Sequence, residues 1–164
     1  MKIATLSQYA KHKDGTYVSL EMDQQSRALL DHFVEMNLGL TERIDPNTYH
    51  ITVIYSRTPV PAAETLGKTT SATANAVQYE VFPTKEGKKC LVLRVESKSA
   101  VHLNKWLNLQ GATSDYPEYK PHVTICYDYN GKDDLSQLPL PQFPLAFDKL
   151  NVAPLDPEFV PSNK

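Results

Sequence analysis

YHITVIYS at residues 49–56 and PHVTICYD at residues 121–128 are two versions of one strand. Aligned without gaps, they match His50 with His122, Ile51 with Val123, Thr52 with Thr124 and Tyr55 with Tyr127. A strand sends residues two apart to one face. His50 and Thr52 therefore share a face, as do His122 and Thr124. The alternation sends Ile51, Val53 and Tyr55, or Val123, Ile125 and Tyr127, the other way, into a predicted core.

Each of these strands closes a similar half. In the first, TYVSLEM (16–22) alternates Val18, Leu20 and Met22 against Tyr17, Ser19 and Glu21, a strand with one wet face. Asp23 reads as an N-cap for a helix from Gln24 to Asn37, with Leu29, Leu30, Phe33 and Val34 at helical spacing and Gly39 as its stop. In the second half, residues 77–84 and 90–96 read as a hairpin around Glu86-Gly87-Lys88. Ser97 or Ser99 then caps a helix carrying Leu103, Trp106 and Leu107. Residues 58–76, rich in Pro, Ala, Thr and Ser, show no sustained period and read as a connection with room for irregular strand pieces, and a further strand is predicted near 145–152. The expected layout is a single α+β domain of two pseudo-symmetric antiparallel sheet lobes with flanking helices and a central cleft. Lobe 1 spans about residues 1–57, the connection 58–76, lobe 2 about 77–128, and a C-terminal strand and tail 139–164.

Composition bounds the partners. With 164 residues and 41% apolar content, the chain can bury one real core. Seventeen Lys+Arg against nineteen Asp+Glu is the wrong footprint for gripping long nucleic acid, but leaves room for a small anion in a local pocket. No run of eighteen apolar residues offers a membrane span, and MKIATLSQYAKHKDG lacks the apolar core of a signal peptide, so the expected location is the cytoplasm. Cys90 and Cys126 make neither a disulfide framework nor a metal cluster, and the five histidines lack metal-site spacing, so neither metal nor cofactor is expected.

Paired His-x-Thr strands suit phosphodiester chemistry. One imidazole removes a proton from the attacking oxygen, the other protonates the leaving oxygen, and the hydroxyls hold non-bridging oxygens where charge builds. Histidine fits both roles because its ordinary pKa, about 6.5, lies near neutrality. With five histidines and thirteen Thr plus ten Ser, two chance His-x-Ser/Thr matches arise about one time in seven, so the motif alone says little. Position carries the weight: both matches start strands in equivalent places of two similar halves.

On these residues the chain resembles the two-histidine (2H) phosphoesterases, the LigT-like superfamily. The segments GTYVSLEMD, IDPNTYHITVIYS and PHVTICYD, with the tail PLDPEF, look most like the small tailed-phage anti-CBASS nucleases, which degrade the cyclic oligonucleotide messengers of a bacterial defence system. The resemblance implies a bilobal fold and cleavage of 3′–5′ bonds in cyclic di- or trinucleotides without a metal. The ribose 2′-OH attacks, a 2′,3′-cyclic phosphate forms, and His50, Thr52, His122 and Thr124 are the catalytic set. It also implies substrate contacts from Tyr17 and from Glu158 and Phe159 in the tail. Read without it, Tyr17 is a surface-strand tyrosine and the tail a frayed terminus. The expected oligomeric state is a monomer.

The remaining candidates have plainer readings. Tyr79 and Phe82 are alternative stacking platforms that strand packing explains as well. Trp106 is read as core and His102 as exposed. His12 and His32 are discounted, having no echo in the other half and no hydroxyl at the right spacing. Lys85, Lys88 and Lys89 form a basic hairpin tip. Two rival functions stand beside the leading one. The first is an RNA-end 2′,3′-cyclic or 2′,5′-phosphodiesterase. The second is a non-catalytic cyclic-nucleotide sponge, against which two intact histidines argue.

Overall fold

Burial along Thr16–Met22 (β1) sets the first layer: Val18, Leu20 and Met22 are buried and Tyr17 and Glu21 face outward, while Ser19, expected on the wet face with them, is buried as well. In the computed structural model, which describes residues 12–156, there follow helix α1 (Gln24–Asn37), β2 (His50–Ser56), β3 (Thr69–Pro83) and β4 (Lys89–Glu96). Helix α2 (Lys98–Leu109), β5 (His122–Cys126) and β6 (Leu145–Pro154) complete the helices and strands of the described residues. Both helices start on the side chains their sequences offer: Asp23 accepts from the Ser26 N–H at 2.8 Å, and Ser97 from the Ala100 N–H at 3.2 Å.

The strands form one antiparallel sheet in the order β2-β1-β6-β3-β4-β5. The order is palindromic in kind. β6-β1-β2 and β3-β4-β5 are equivalent triplets, and β1-α1-β2 matches β4-α2-β5. This is the expected α+β architecture of two related lobes. The His-x-Thr strands are the two edges of the sheet, and the edges curl round to meet each other. The core lies beneath the sheet, where Leu30 and Val34 of α1 and Ala100 and Leu107 of α2 pack on Ile51, Leu91, Leu93, Val123 and Phe147.

The connection is shorter than its composition implied. β3 starts at Thr69, eight residues before the expected 77, and joins both triplets: Ala72 and Ala74 pair with Phe147 and Leu145 of β6, and 75–83 pair with β4. Its period was hidden because alanines carry it. Ala72 and Ala74 are buried, whereas Ser71, Thr73 and Asn75 are exposed. Small side chains fit there because their cross-strand partners are large.

His12, which the sequence pattern discounts, is fully buried. Its Nε2 lies 2.7 Å from the Glu64 carboxylate, and its Nδ1 2.9 Å from the Thr16 hydroxyl, which accepts from the Val60 N–H at 2.8 Å. A carboxylate only accepts, so Nε2 carries the proton, and Thr16 donates to Nδ1. Every polar atom in this chain of bonds is used, and it fastens the start of lobe 1 to the connection.

Candidate active site

His50, Thr52, His122 and Thr124 all stand on the outward face of their strands, half-buried, while the alternating Ile51, Val53, Val123 and Ile125 are buried in the core. The two imidazoles are held alike. His50 Nδ1 lies 2.6 Å from the Thr48 carbonyl, and His122 Nδ1 2.8 Å from the Lys120 carbonyl. A carbonyl can only accept, so each Nδ1 bears the hydrogen and each Nε2 is left to take up or release the mobile proton. Both supporting carbonyls come from residue i−2, so the repeat extends beyond the motif into its backbone support.

The surroundings break the symmetry. Opposite His50 in the register stands Glu21, and opposite His122 stands Arg94, whose guanidinium bonds Glu80 at 2.6 Å. Gln78 donates to the same carboxylate at 3.0 Å. The Phe82 ring meets the His122 ring edge-on, with centroids 5.3 Å apart. His122 is held below the usual histidine range, first by burial, with further downward pressure from His50 and Arg94 and an opposing pull from the Lys120 carbonyl and Glu80.

Tyr17 joins the site from β1. Its hydroxyl lies 3.1 Å from Thr52 Oγ1, and burial pushes the phenol upward, so it remains a protonated donor at neutral pH. Lobe 2 also fixes the free edge of β2: Tyr119 donates to the Thr52 carbonyl at 2.9 Å, and Asn104 to the Val53 carbonyl at 2.9 Å. In return, the Ile44 N–H of lobe 1 donates to the Ile125 carbonyl of β5 at 2.9 Å. Edge carbonyls that would otherwise face water are used to lock the two motifs to each other.

One expectation needs correction. Tyr55 and Tyr127 do not enter the core. Both strands bulge directly after the threonine: Ser19 pairs with Thr52 but Val18 with Ile54, and Val92 pairs with Thr124 but Leu91 with Cys126. The inserted residue resets the alternation. Tyr55 therefore pairs with Tyr17, edge to face at 6.4 Å, and Tyr127 is 44% exposed. Tyr79, in contrast, is buried and donates to the Pro139 carbonyl at 2.9 Å, which leaves Phe82 as the one of that pair on the cleft face.

Other placements follow the sequence reading. His32 and His102 are exposed, and Trp106 packs against the core. Glu158 and Phe159 lie outside the described residues. Lys88 and Lys89 border a cavity of about 470 Å³ together with Lys132, Asp128 and Asp133, away from both histidines and of mixed charge. Among the described residues there is no group of three or more His, Cys, Asp or Glu that could hold a metal ion, and no helix long and apolar enough to cross a membrane. Sequence reasoning missed Tyr119, Asn104 and the Arg94–Glu80 pair, whose roles arise only from tertiary placement.

The Arg94–Glu80 pair makes pH dependence a test of this geometry. With His122 depressed, its neutral form persists below pH 6.5, so a reaction that uses it as base should have the acid limb of its kcat/KM there. Arg94→Met removes a cation that pushes His122 down and leaves the Glu80 carboxylate, which pulls it up. The acid limb should then move to higher pH, read from a kcat/KM profile between pH 4.5 and 8. An unmoved or lowered limb would count against the assignment.

Comparison with known proteins identifies the family and the fold. A family model described as anti-CBASS protein Acb1 matches residues 14–162. An anti-CBASS protein Acb1 from Vibrio phage KVP40 is 34% identical over 116 residues, covering 70% of this chain and 73% of that one. Its counterpart in Acinetobacter phage Ac42 is 30% identical over the same coverage, and that in Enterobacteria phage T4 25% identical over 75% of this chain and 78% of that one. Among solved structures, Escherichia coli LigT complexed with NADP+ superposes with a TM-score of 0.55 at 14% identity, covering 84% of this chain and 85% of LigT. A structure described as a phosphoesterase gives the same score at 13% identity and the same coverage. The fold is that of the LigT-like 2H phosphoesterases, and the chain belongs to the anti-CBASS protein Acb1 family.

Proposed function

We propose that this chain is a metal-independent phosphodiesterase that hydrolyses the 3′–5′ bonds of cyclic di- and trinucleotide immune messengers, serving phage evasion of CBASS defence in the host bacterial cytoplasm as a monomer. The observation that carries the reading is the matched pair of imidazoles, each bonded through Nδ1 to the carbonyl two residues earlier, on two edge strands that meet. Membership in the Acb1 family supports the biological role.

The chemistry follows from the groups present. His122, kept neutral by burial, takes the proton of the ribose 2′-OH as that oxygen attacks the adjacent phosphorus. His50 gives a proton to the departing 5′ oxygen, and the P–O5′ bond breaks as the P–O2′ bond forms. A 2′,3′-cyclic phosphate results. His50 is now the base and His122 the acid, so water opens the ring with the roles exchanged and a 3′-phosphate remains. Thr52, Thr124 and the Tyr17 hydroxyl donate to the non-bridging oxygens, where negative charge grows.

Incubation in EDTA with cyclic dinucleotides, cyclic trinucleotides and a 2′,3′-cyclic-ended oligonucleotide separates the alternatives. The expected products from the rings are linear nucleotides with 2′,3′-cyclic or 3′-phosphate ends. A ring with 2′-deoxyribose at the scissile linkage should resist, because it lacks the nucleophile. Turnover of the RNA end alone would indicate an RNA-end enzyme, and binding with unchanged ligand would indicate a sponge. Cleavage of the 2′-deoxy ring would overturn the 2′-OH mechanism.

A further inference from the structure

Acid–base chemistry does not require the matching bulges. Val53 in β2 and Ile125 in β5 are the inserted residues, both three positions after the histidine, and each disrupts the pairing of a strand that already has only one neighbour. What each bulge achieves is to bury two successive residues, Val53 with Ile54 and Ile125 with Cys126, and to turn the next residue out of the core. In both lobes that next residue is tyrosine. An unbroken strand would have sent Tyr55 and Tyr127 inward with Ile51 and Val123. Bulges that re-aim a side chain beside a site are features of function more than of packing.

We propose that Tyr55 and Tyr127 are the nucleobase platforms of the cleft, one from each lobe, on which the two bases flanking the reacting phosphate stack. The inference rests on the phosphodiesterase reading and adds the residues that grip the substrate's bases. Placement supports it. Tyr55 packs against Tyr17, whose hydroxyl bonds Thr52, so its ring stands one side chain from the proposed phosphate-binding hydroxyl. Arg57 lies over the Tyr55 ring, 5.6 Å from its centroid, and is anchored by Asp115 of lobe 2 at 3.1 Å, so the ring is held in place beside a cation that favours an anionic ligand. Tyr127 takes the equivalent position after the matching bulge of lobe 2 and stands 44% exposed. A pair of aromatic faces carries no base-edge code, so they give sequence-tolerant grip on a small ligand in a protein whose net charge of −2 offers little general attraction.

The test uses the full chain. With a cyclic dinucleotide, Tyr55→Ala and Tyr127→Ala should each raise KM by about tenfold or more, the order expected for loss of one base–aromatic stack, with kcat changed much less. Tyr55→Phe and Tyr127→Phe keep the ring and should stay within about threefold of wild type in KM. In parallel, the His50→Ala/His122→Ala protein should quench the fluorescence of a 2-aminopurine-containing cyclic dinucleotide, and adding either Tyr→Ala change should relieve that quenching. Unchanged KM in the alanine variants, or phenylalanine variants as impaired as alanine ones, would overturn the proposal. A wild-type protein that fails to cleave would defeat the phosphodiesterase reading instead, and the quenching experiment would still decide the stacking. Exposed Tyr127 can be replaced without emptying the core, so its variant stays informative if Tyr55→Ala fails to fold.

Discussion

His50→Ala and His122→Ala should each reduce kcat on a cyclic dinucleotide by about 10²- to 10⁴-fold, the range for losing a positioned acid or base. Binding of the uncleaved ligand should stay within a few-fold, because the hydroxyls, Tyr17 and the stacking faces remain. The double variant should be little worse than either single one, since the two groups act on one proton-transfer cycle and their effects do not add. The roles can be told apart by leaving group. A substrate with sulfur at the bridging 5′ position departs as a thiolate that needs no proton. It should restore much of the rate to His50→Ala, the proposed acid, and little to His122→Ala, the proposed base. Near-normal turnover by either single variant on the natural substrate would remove the two-histidine mechanism. Rescue of His122→Ala in place of His50→Ala would reverse the assignment and leave the mechanism standing.

The motifs themselves are visible in the sequence because chemistry and strand periodicity coincide in them. His and Thr two residues apart can only share a face, and burial of Ile51 and Val123 fixes which face is wet. Elements around them are equally legible: Thr16–Met22 and Gln24–Asn37 fall where alternation, capping and helical spacing put them. The period of β3 escaped because alanine is a weak hydrophobic marker, and the strand shows only once Phe147 and Leu145 are seen opposite Ala72 and Ala74. Tyr55 and Tyr127 were misplaced for a different reason. A bulge leaves no residue-type signature when the inserted residue is as apolar as its neighbours, as Val53 and Ile125 are. The repeat nevertheless held the clue, since a tyrosine five positions after each histidine is part of the same echo. Arg94, Glu80, Tyr119 and Asn104 have no local pattern at all. They matter through what the curled sheet brings next to them: His122 for Arg94, and the free carbonyls of β2 for Tyr119 and Asn104.

Gly15→Ala should be the most damaging single methyl in the fold. Gly15 has φ +126°, a conformation only glycine adopts readily, and a Cβ built there would lie 2.1 Å from the Ser56 carbonyl oxygen and 3.0 Å from both the Arg57 Cα and Leu155 Cδ2. The first two are backbone atoms at the end of β2, so no rotamer change relieves the clash. Gly15 also receives the Leu155 N–H on its own carbonyl and donates to the His12 carbonyl, so it cannot retreat without breaking the junction of β1, β2 and β6. Backbone strain and overpacking each cost about 1–3 kcal/mol, and together should come to about 4 kcal/mol. For a chain of this size that lowers Tm by roughly 10 °C or more. Gly87 supplies the control. It has φ +79° at the β3–β4 turn, yet nothing within 4 Å of its added Cβ, so Gly87→Ala should cost only the strain, about 1–2 kcal/mol. The contrast, read by thermal unfolding of the two variants, isolates the clash from the dihedral. A Gly15→Ala protein melting within about 2 °C of wild type, no more than the shift that 1 kcal/mol produces, would mean that the end of β2 can shift freely. The rigid hold on Tyr55 and on the His50–Thr52 strand would then be lost as an argument. If the end of β2 is as fixed as its bonds imply, whatever Gly15→Ala protein still folds should also show weakened substrate binding. The shift forced on Ser56 and Arg57 travels one residue to Tyr55 and its guanidinium support.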